Sequence, residues 1–443
     1  MFPFFRVPAL GSVLVAGVLA WVVPAVGASP PTGSADSPST TSALDLRQAL
    51  VQAREGNFEL QAARLRVEEL GGEVRHAGRL TPTNPELELE YAEREAAGGE
   101  TSTDRGISLS QTLWIGGQGG LARRAADARE RAAQAQYRFL LTTVSARTRQ
   151  AFLRLLAAQR AVATAERAAT LSESLQGFAR ERLEAGEATR LDLNAARIGQ
   201  ARARGVLTQA RRDAERARLD LAGLLGRDPV QRLEVRGTLS TQMPALPPDD
   251  ELLREALARR ADLAATAETL LAAQEELGLA RRQLIPNLTV AGFYAEEEGT
   301  QIRGARLGFD LPLTHRFGGE RDAATARLGQ AQVERDALQF AVRQEVLAAR
   351  AGFRSAVEAL TALSGEALAA AEDNVELTEA ALRAGKLGAP AITTAQENLL
   401  TVRGAHLSAL TDLIDAAAAL ERATGGYLVL HDARTTHDKD SEQ

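Results

Sequence analysis

Two spacings of apolar residues alternate along this chain, and the alternation occurs twice. Leu44, Leu46, Ala49, Leu50 and Ala53, then, past a Gly56-Asn57 interruption, Leu60, Ala63, Leu65, Val67 and Leu70 recur at the three-to-four spacing of one or two amphipathic helices. Pro82-Thr83-Asn84-Pro85 ends that pattern and the period falls to two. Leu87, Leu89 and Tyr91 alternate with Glu86, Glu88 and Glu90, which predicts a strand with one apolar and one acidic face. Beyond a loop at 96–104, rich in Gly, Ser and Thr, Ile107, Leu109, Gln111 and Leu113 alternate with Ser108, Ser110 and Thr112, so 86–114 reads as a strand hairpin. Gly116-Gly117-Gln118-Gly119-Gly120 then opens the longest helical pattern. Ala125, Ala128, Ala132, Ala135 and Phe139 step by three and four, and Leu171, Leu175 and Phe178 recover that spacing, as in coiled-coil packing.

The same order returns from Asp249. Glu251-Leu252-Leu253-Arg254-Glu255-Ala256-Leu257 echoes Leu44-Asp45-Leu46-Arg47-Gln48-Ala49-Leu50. Pro286-Asn287 precedes an alternating stretch, a loop follows at 297–304, and Leu307, Phe309, Leu311 and Leu313 alternate again, predicting a second hairpin over 288–313. Gly318-Gly319 opens a helix with Ala324, Leu328, Ala331, Leu338 and Val342 inside and Arg335 as a break. No proline lies between Gly120 and Pro229 or between Pro312 and Pro390. Each stretch would run about 95 Å from its glycine turn to its far end if uninterrupted.

Those far ends are tips at 184–190 and 383–390. Glu184-Ala185-Gly186-Glu187-Ala188-Thr189-Arg190 and Arg383-Ala384-Gly385-Lys386-Leu387-Gly388-Ala389-Pro390 both break a helix at Ala-Gly and restart it. Gly186 and Gly385 stand where a helix C-terminus takes the left-handed conformation, and Thr189 and Pro390 are helix-start residues. Forty residues past each tip glycine the restarted helix meets Gly226 or Gly425. The chain therefore divides into a first repeat 43–226, a linker 227–248, a second repeat 249–426 and a tail 427–443.

The N-terminus changes the picture of where this protein works. Arg6 precedes an apolar run from Val7 to Val26, and Val26-Gly27-Ala28 offers small residues for cleavage, so 1–28 reads as a signal peptide, with a membrane anchor as the alternative. Segment 29–42, rich in Pro, Ser, Thr and Gly, reads as flexible. With no cysteine in the chain, neither disulfides nor an acylated N-terminal cysteine is expected.

Composition narrows the class further. Hydrophobic residues make up 45% but aromatic ones only 4%, much of the remainder being alanine, which favours long, closely packed helices. A net charge of -6, with Arg interspersed among Glu and Asp, argues against nucleic acid as a partner. The glycine turns lack the Lys-Ser or Lys-Thr of a phosphate loop. His76, His315, His406, His431 and His437 show no metal-ligand spacing, and the His- and Asp-bearing tail reads as a solvated terminus rather than a chelator. No nucleophile arrangement or paired acid and base stands out. No enzyme, cofactor or resident metal is expected.

The hairpins read either as ordinary soluble ones or as tilted strands long enough to span a bilayer. Four strands cannot close a barrel, so in the second case several chains must pool their strands.

The order helix, proline break, hairpin, glycine turn, long helix, Ala-Gly tip and returning helix, performed twice behind a signal peptide, resembles the TolC-like outer membrane efflux proteins of Gram-negative bacteria. Asn84-Pro85-Glu86-Leu87-Glu88-Leu89-Glu90, Ser110-Gln111-Thr112-Leu113 and Leu311-Pro312-Leu313 are similar to the CzcC-related metal-cation branch. The resemblance implies a mainly α fold with a small membrane β-barrel portion. It implies a homotrimer whose long helical hairpins form a periplasmic tunnel below a shared 12-stranded barrel in outer membrane lipid, with loops 96–104 and 297–304 outside and Trp114 near the inner interface. Segment 227–248 and the tail would form a belt around the tunnel.

It further implies a passive exit duct opened by an iris-like movement of the tips. The duct would serve a periplasmic adaptor and an RND-type inner-membrane transporter, exporting divalent metal cations or small toxic compounds. Adaptor contact is expected at Ala185, Gly186, Glu187, Thr189, Ala384, Gly385, Lys386 and Leu387. The acidic gate of familiar relatives is missing at Ala391 and Thr394. Asp192 and Thr394 remain the pore candidates; Asp192 reads either as one of a ring of three carboxylates or as a residue that supports the start of its own helix or pairs with Arg190 or Arg197. The competing class is a soluble periplasmic coiled-coil adaptor or structural protein.

Overall fold

The structure is a computed structural model that describes residues 43–79, 81–95, 101–239, 246–363, 365–384 and 386–426. The expected signal peptide 1–28, the segment 29–42, the tip glycine Gly385 and the tail 427–443 lie outside the described residues. The elements run α1 (Leu46–Gly56), α2 (Phe58–Ala77), β1 (Glu86–Glu95), β2 (Thr101–Leu113), α3 (Gln118–Glu184), α4 (Arg190–Leu225), α5 (Asp249–Arg259), α6 (Ala261–Arg282), β3 (Leu288–Glu297), β4 (Thr300–Phe309), α7 (Gly318–Leu363), α8 (Glu366–Arg383) and α9 (Ala389–Ala423).

The four strands form one antiparallel sheet in the order β1-β2-β3-β4, with β1 and β4 as open edges. Strand bounds differ from the sequence reading. The loop expected at 96–104 gives up its last four residues to β2, and the loop expected at 297–304 is a turn at Glu298 and Gly299, with φ of 50° and 76°. Both φ values are positive, the signature of a primed hairpin turn that continues the strand twist, so no longer loop is needed. The second hairpin also stops at Phe309 rather than 313. Phe309 faces Leu288, the first residue of β3, so residues beyond it have no strand to pair with. Pro312 moreover has no N–H, and Leu313 bonds back to the Leu311 carbonyl at 2.9 Å.

Helix α3 holds 67 residues, about 100 Å of continuous helix. Ala125, Ala128 and Ala135 are buried along it, as the stepping by three and four requires, whereas Leu171 and Phe178 stay exposed within this chain. The second long helix is not continuous. α7 ends at Leu363 and α8 begins at Glu366, with Gly365 at φ 76° between them.

Two joints hold the returning helices in place. Asn57, between α1 and α2, accepts a bond from the Leu60 N–H at 3.1 Å and donates through Nδ2 to the Leu224 carbonyl at 3.0 Å, satisfying the end of α4. Gly56 permits this approach: a Cβ there would stand 2.3 Å from the Leu225 carbonyl oxygen. At the corresponding place between α5 and α6 stands Arg260, whose side chain is only 4% exposed. It donates to Asp262 at 3.1 and 2.6 Å, to Glu345 of α7 at 2.5 Å and to the Ala423 carbonyl at the end of α9 at 3.3 Å. The Phe139 ring of α3 lies 5.6 Å beneath the guanidinium.

The apolar cores sit around these joints. Leu44, Leu60, Val144, Phe152, Leu155 and Leu221 bury the first, with Leu233 and Val235 folded in from the linker, where Leu44 and Val235 form a parallel bridge. Leu252, Val342, Val346, Phe353, Leu413 and Leu420 bury the second. Between the two, α3 meets α9 through charge. Arg154 grips Asp415 with two nitrogens, Gln150 joins the same carboxylate at 2.9 Å, and Glu421 lies 3.8 Å from Arg149, where burial pushes its carboxyl up from the usual range.

Replacing Arg260 with Met leaves the buried Asp262 without its partner, and is expected to cost about 3–5 kcal/mol, against about 1–2 kcal/mol for Asn57→Ala. Thermal unfolding in detergent measures both. Equal, small shifts would dismiss the buried ion network as the stronger joint.

Candidate conduit: the two-faced sheet and the helical tips

Registers carry one alternation across all four strands. Leu87 faces Leu109, Leu109 faces Gly292, and Gly292 faces Ala305; Leu89 faces Ile107 and then Tyr294. One face therefore collects Leu87, Leu89, Tyr91, Ile107, Leu109, Leu113, Val290, Tyr294, Leu307 and Phe309, with Gln111 among them and Arg105, Glu296, Gln301 and Arg303 toward its hairpin-turn end. The other collects Glu86, Glu88, Glu90, Ser108, Ser110, Thr112, Thr289 and Arg306, together with Phe293 and Ile302. On the polar face, Ser108 donates to Glu88 at 3.2 Å, Thr112 and Thr289 share a hydroxyl bond at 3.1 Å, and Arg306 stacks over Phe293 at 5.4 Å. The apolar face has no cover: Leu87, Leu89, Tyr91, Leu307 and Phe309 are all more than half exposed. An apolar outer band opposite a polar inner face is the pattern of a strand set between lipid and water. Among the described residues, no helix is long and apolar enough to cross a membrane.

At the other end, α3 closes in a Schellman turn. Gly186 has φ 76°, and the Glu187 N–H reaches back to the Arg182 carbonyl at 2.8 Å. Ala185, Gly186, Glu187 and Thr189 are exposed. Thr189 then caps α4, its hydroxyl accepting from the Asp192 N–H at 3.2 Å while the Asp192 carboxylate accepts from the Thr189 N–H at 2.8 Å and hydroxyl at 2.7 Å. Asp192 thus supports its helix start, and does so through Thr189. The backbone bond from Thr189, seconded by its hydroxyl, holds the Asp192 carboxyl below its ordinary range. Because these bonds favour the charged form, their contribution to the tip is lost as pH falls through that lowered value.

The second tip is built differently. Gly388 occupies the cap position of α9 without a side-chain bond, and Pro390 fixes the first turn. Ala384, Lys386 and Leu387 are exposed, and the Lys386 N–H closes on the Ala381 carbonyl at 2.9 Å. Thr394 spends its hydroxyl on the Pro390 carbonyl of its own helix at 3.0 Å.

The two tips pack side by side. Asp192 Oδ1 would lie 3.7 Å from a Cβ on Gly388, Gly199 of α4 sits against Thr393 of α9, and Arg202 pairs with Glu397. Leu175 of α3 joins Val375, Leu382 and Ile392 in a small core between the hairpins. The structure therefore brings Asp192 to the second tip but leaves Thr394 bound to its own helix. Gly199, Arg202 and Glu397 escaped the sequence reading, which placed Gly388 in its tip without this contact. Their pairing crosses about two hundred positions, and no local period marks it.

Comparison with known proteins agrees with this geometry. The family profile described as "Outer membrane efflux protein" matches residues 49–227 and 252–426. The cobalt-zinc-cadmium resistance protein CzcC of Cupriavidus metallidurans is 28% identical over 386 residues, covering 86% of this chain and 90% of that protein. The outer membrane efflux protein BepC of Brucella suis is 26% identical over 402 residues, covering 86% and 85%. Among solved structures, the open state of the MtrE outer membrane channel of Neisseria gonorrhoeae superposes with a TM-score of 0.74 at 21% identity, covering 86% of this chain and 89% of that one. The chain belongs to the outer membrane efflux protein family: it is an exit duct of the Gram-negative outer membrane with a periplasmic extension, and not an enzyme.

Proposed function

We propose that this chain works as a homotrimer that passes divalent metal cations outward, fed by an RND-type inner-membrane transporter through a periplasmic adaptor docked at the helical tips. The observation that carries this reading is the sheet with two open edges and two unlike faces. Four strands cannot close in lipid, and three copies supply 12, an even number within the range of known membrane barrels. With the apolar face outward, Glu86, Glu88 and Glu90 of each copy line the lumen and favour cations over anions. The similarity to a cobalt-zinc-cadmium resistance protein supports the same substrate class.

At the far mouth, three copies of Asp192 would form a ring of carboxylates between the tips. A soluble periplasmic coiled-coil protein would leave the apolar face of the sheet in water, which the exposure of Leu87, Leu89, Tyr91, Leu307 and Phe309 disfavours.

Cell fractionation is expected to place the protein in the outer membrane, and native mass spectrometry in detergent to give three chain masses. Deletion of its gene is expected to sensitise cells to cobalt, zinc or cadmium more than to organic toxicants; the reverse order would transfer the substrate class to small organic compounds. In planar bilayers, Asp192→Asn is expected to lower cation selectivity while the channel still forms. Unchanged currents would confine Asp192 to capping its helix.

A further inference from the structure

Among the described residues, two arginines stand on the polar face of the sheet, and they are held in different ways. Arg94 spends its charge on Asp104 at 2.8 Å and Glu298 at 3.0 Å. Arg306 has no carboxylate partner there and lies instead over the ring of Phe293, 5.4 Å from its centroid. We infer that Arg306, seated on Phe293, is a specificity-determining residue of the duct: it admits anions to the barrel and limits the cation selectivity that Glu86, Glu88 and Glu90 create. This inference rests on the proposal that copies of the chain close a ring with the polar face inward.

Register builds the seat. Phe293 faces Gly304 directly across β3 and β4, and Arg306 follows two residues on along the same face. Phe293 and Arg306 are therefore diagonal neighbours, a separation that an aromatic and a long side chain bridge together. The far end of the Phe293 ring rests over Gly304, where a Cβ would stand 2.8 Å from Cζ. Glycine there makes the room that the ring occupies. Gly308 lies two residues beyond Arg306 on its strand and Ala291 lies opposite it. With small residues on three sides, the guanidinium has one large neighbour on this face, and that is the ring.

What holds Arg306 does not neutralise it. An aromatic face attracts a cation through its quadrupole and carries no opposing charge. Glu86, Glu88 and Glu90 of the same chain lie on β1, three strand spacings from β4, or about 14 Å. Glu297 stands opposite Thr300, six residues along β4 from Arg306, or about 20 Å. Across such distances salt screens most of the attraction. In a ring, β1 of the next copy would stand one spacing from β4, so Arg306 would offset part of the negative charge that copy brings. In both settings its effect on a passing ion has the same sign.

Fixed charge on a pore wall raises the local concentration of ions of the opposite sign. A wall of carboxylates alone would gather cations and turn anions away. Arg306 lies three residues before the end of β4 at Phe309, about 10 Å from the end of the sheet that leads into the helices. Its copies therefore put positive charge near the place where ions pass from the tunnel into the barrel. The barrel is then weakly rather than strictly cation-selective. An anion can leave beside an exported cation, which keeps the outflow electroneutral.

In planar bilayers under a KCl gradient, Arg306→Gln is expected to raise the ratio of potassium to chloride permeability about twofold or more, and Arg306→Lys to leave it near that of the unaltered channel. Phe293→Leu keeps the charge but frees the guanidinium to reach carboxylates, and is expected to move the ratio part of the way. The chain contains no cysteine, so Arg306→Cys can be modified without background. On that variant a methanethiosulfonate bearing a trimethylammonium group is expected to lower the ratio, and one bearing a sulfonate to raise it. Each reagent compares one folded channel before and after reaction, so the result does not depend on how well a variant assembles. An oligomer by native mass whose ratio ignores Arg306→Gln, or whose cysteine responds to neither reagent, overturns the role of Arg306 and leaves the ring standing. A ratio unchanged by Phe293→Leu overturns the part given to the ring of Phe293. A monomer by native mass overturns the closed ring of copies itself.

Discussion

A backbone N–H or C=O left unpaired in hydrocarbon costs several kcal/mol, and the outer edges of β1 and β4 each present a row of them. Nothing else among the described residues covers either edge. Side chains cannot satisfy such a row; only another strand can. Because one chain supplies both edges of a single ordered sheet, a head-to-tail contact repeated by rotation satisfies both at once, and a closed ring leaves none over. This constraint reaches below the membrane. Short connections tie each strand to the helix beneath it, so the order of the sheet becomes the order of the helical layer, and an edge in one layer lies over an edge in the other.

Long helices without thick cores need fixed points, and this chain has two, made with different chemistry. In the first, neutral Asn57 caps α2 and bonds the last turn of α4, and Gly56 lets the backbones touch. In the second, Arg260 does the corresponding work on α9 and also binds Asp262 and Glu345. Asn57 satisfies its neighbours with few polar groups, so little is at stake if it is lost. Arg260 brings a buried charge that must stay matched, and its loss strands a carboxylate. The second repeat is thus the more strongly pinned at its middle, while its outgoing helix is broken at Gly365 farther toward the tip.

Much of this was legible in the sequence because it is local. Alternation in Leu87, Leu89 and Tyr91 announces a two-faced strand, and the position of Gly186 after Arg182-Leu183-Glu184-Ala185 announces a helix end. Capping at Thr189 and Asp192 lies within four residues and obeys a short rule. The end of β4 was not legible. Leu311 and Leu313 keep the period, but a strand ends where its neighbour does, and that depends on Leu288 across the sheet. The break at Gly365 was missed for the opposite reason: glycines such as Gly329 and Gly352 lie inside the same helix without breaking it, so residue type alone does not mark the site. The packing of Asp192 against Gly388 needs two segments that only the folded chain brings together.

That last contact gives the difference between the tips a physical meaning. Both tips must restart a helix from a tight turn. The first does so with a carboxylate, which the positive end of α4 stabilises and which remains charged as long as Thr189 bonds it. The second does so with Pro390, whose fixed φ starts a helix without adding charge. At the tips, the restarted helix of the first repeat carries a carboxylate in its first turn and that of the second carries none. The second repeat lies close beside that carboxylate: a Cβ on Gly388 would meet Asp192 Oδ1 at 3.7 Å, an ordinary contact distance. The two tips therefore touch while differing in chemistry, a charged helix start in one beside an uncharged, proline-fixed start in the other.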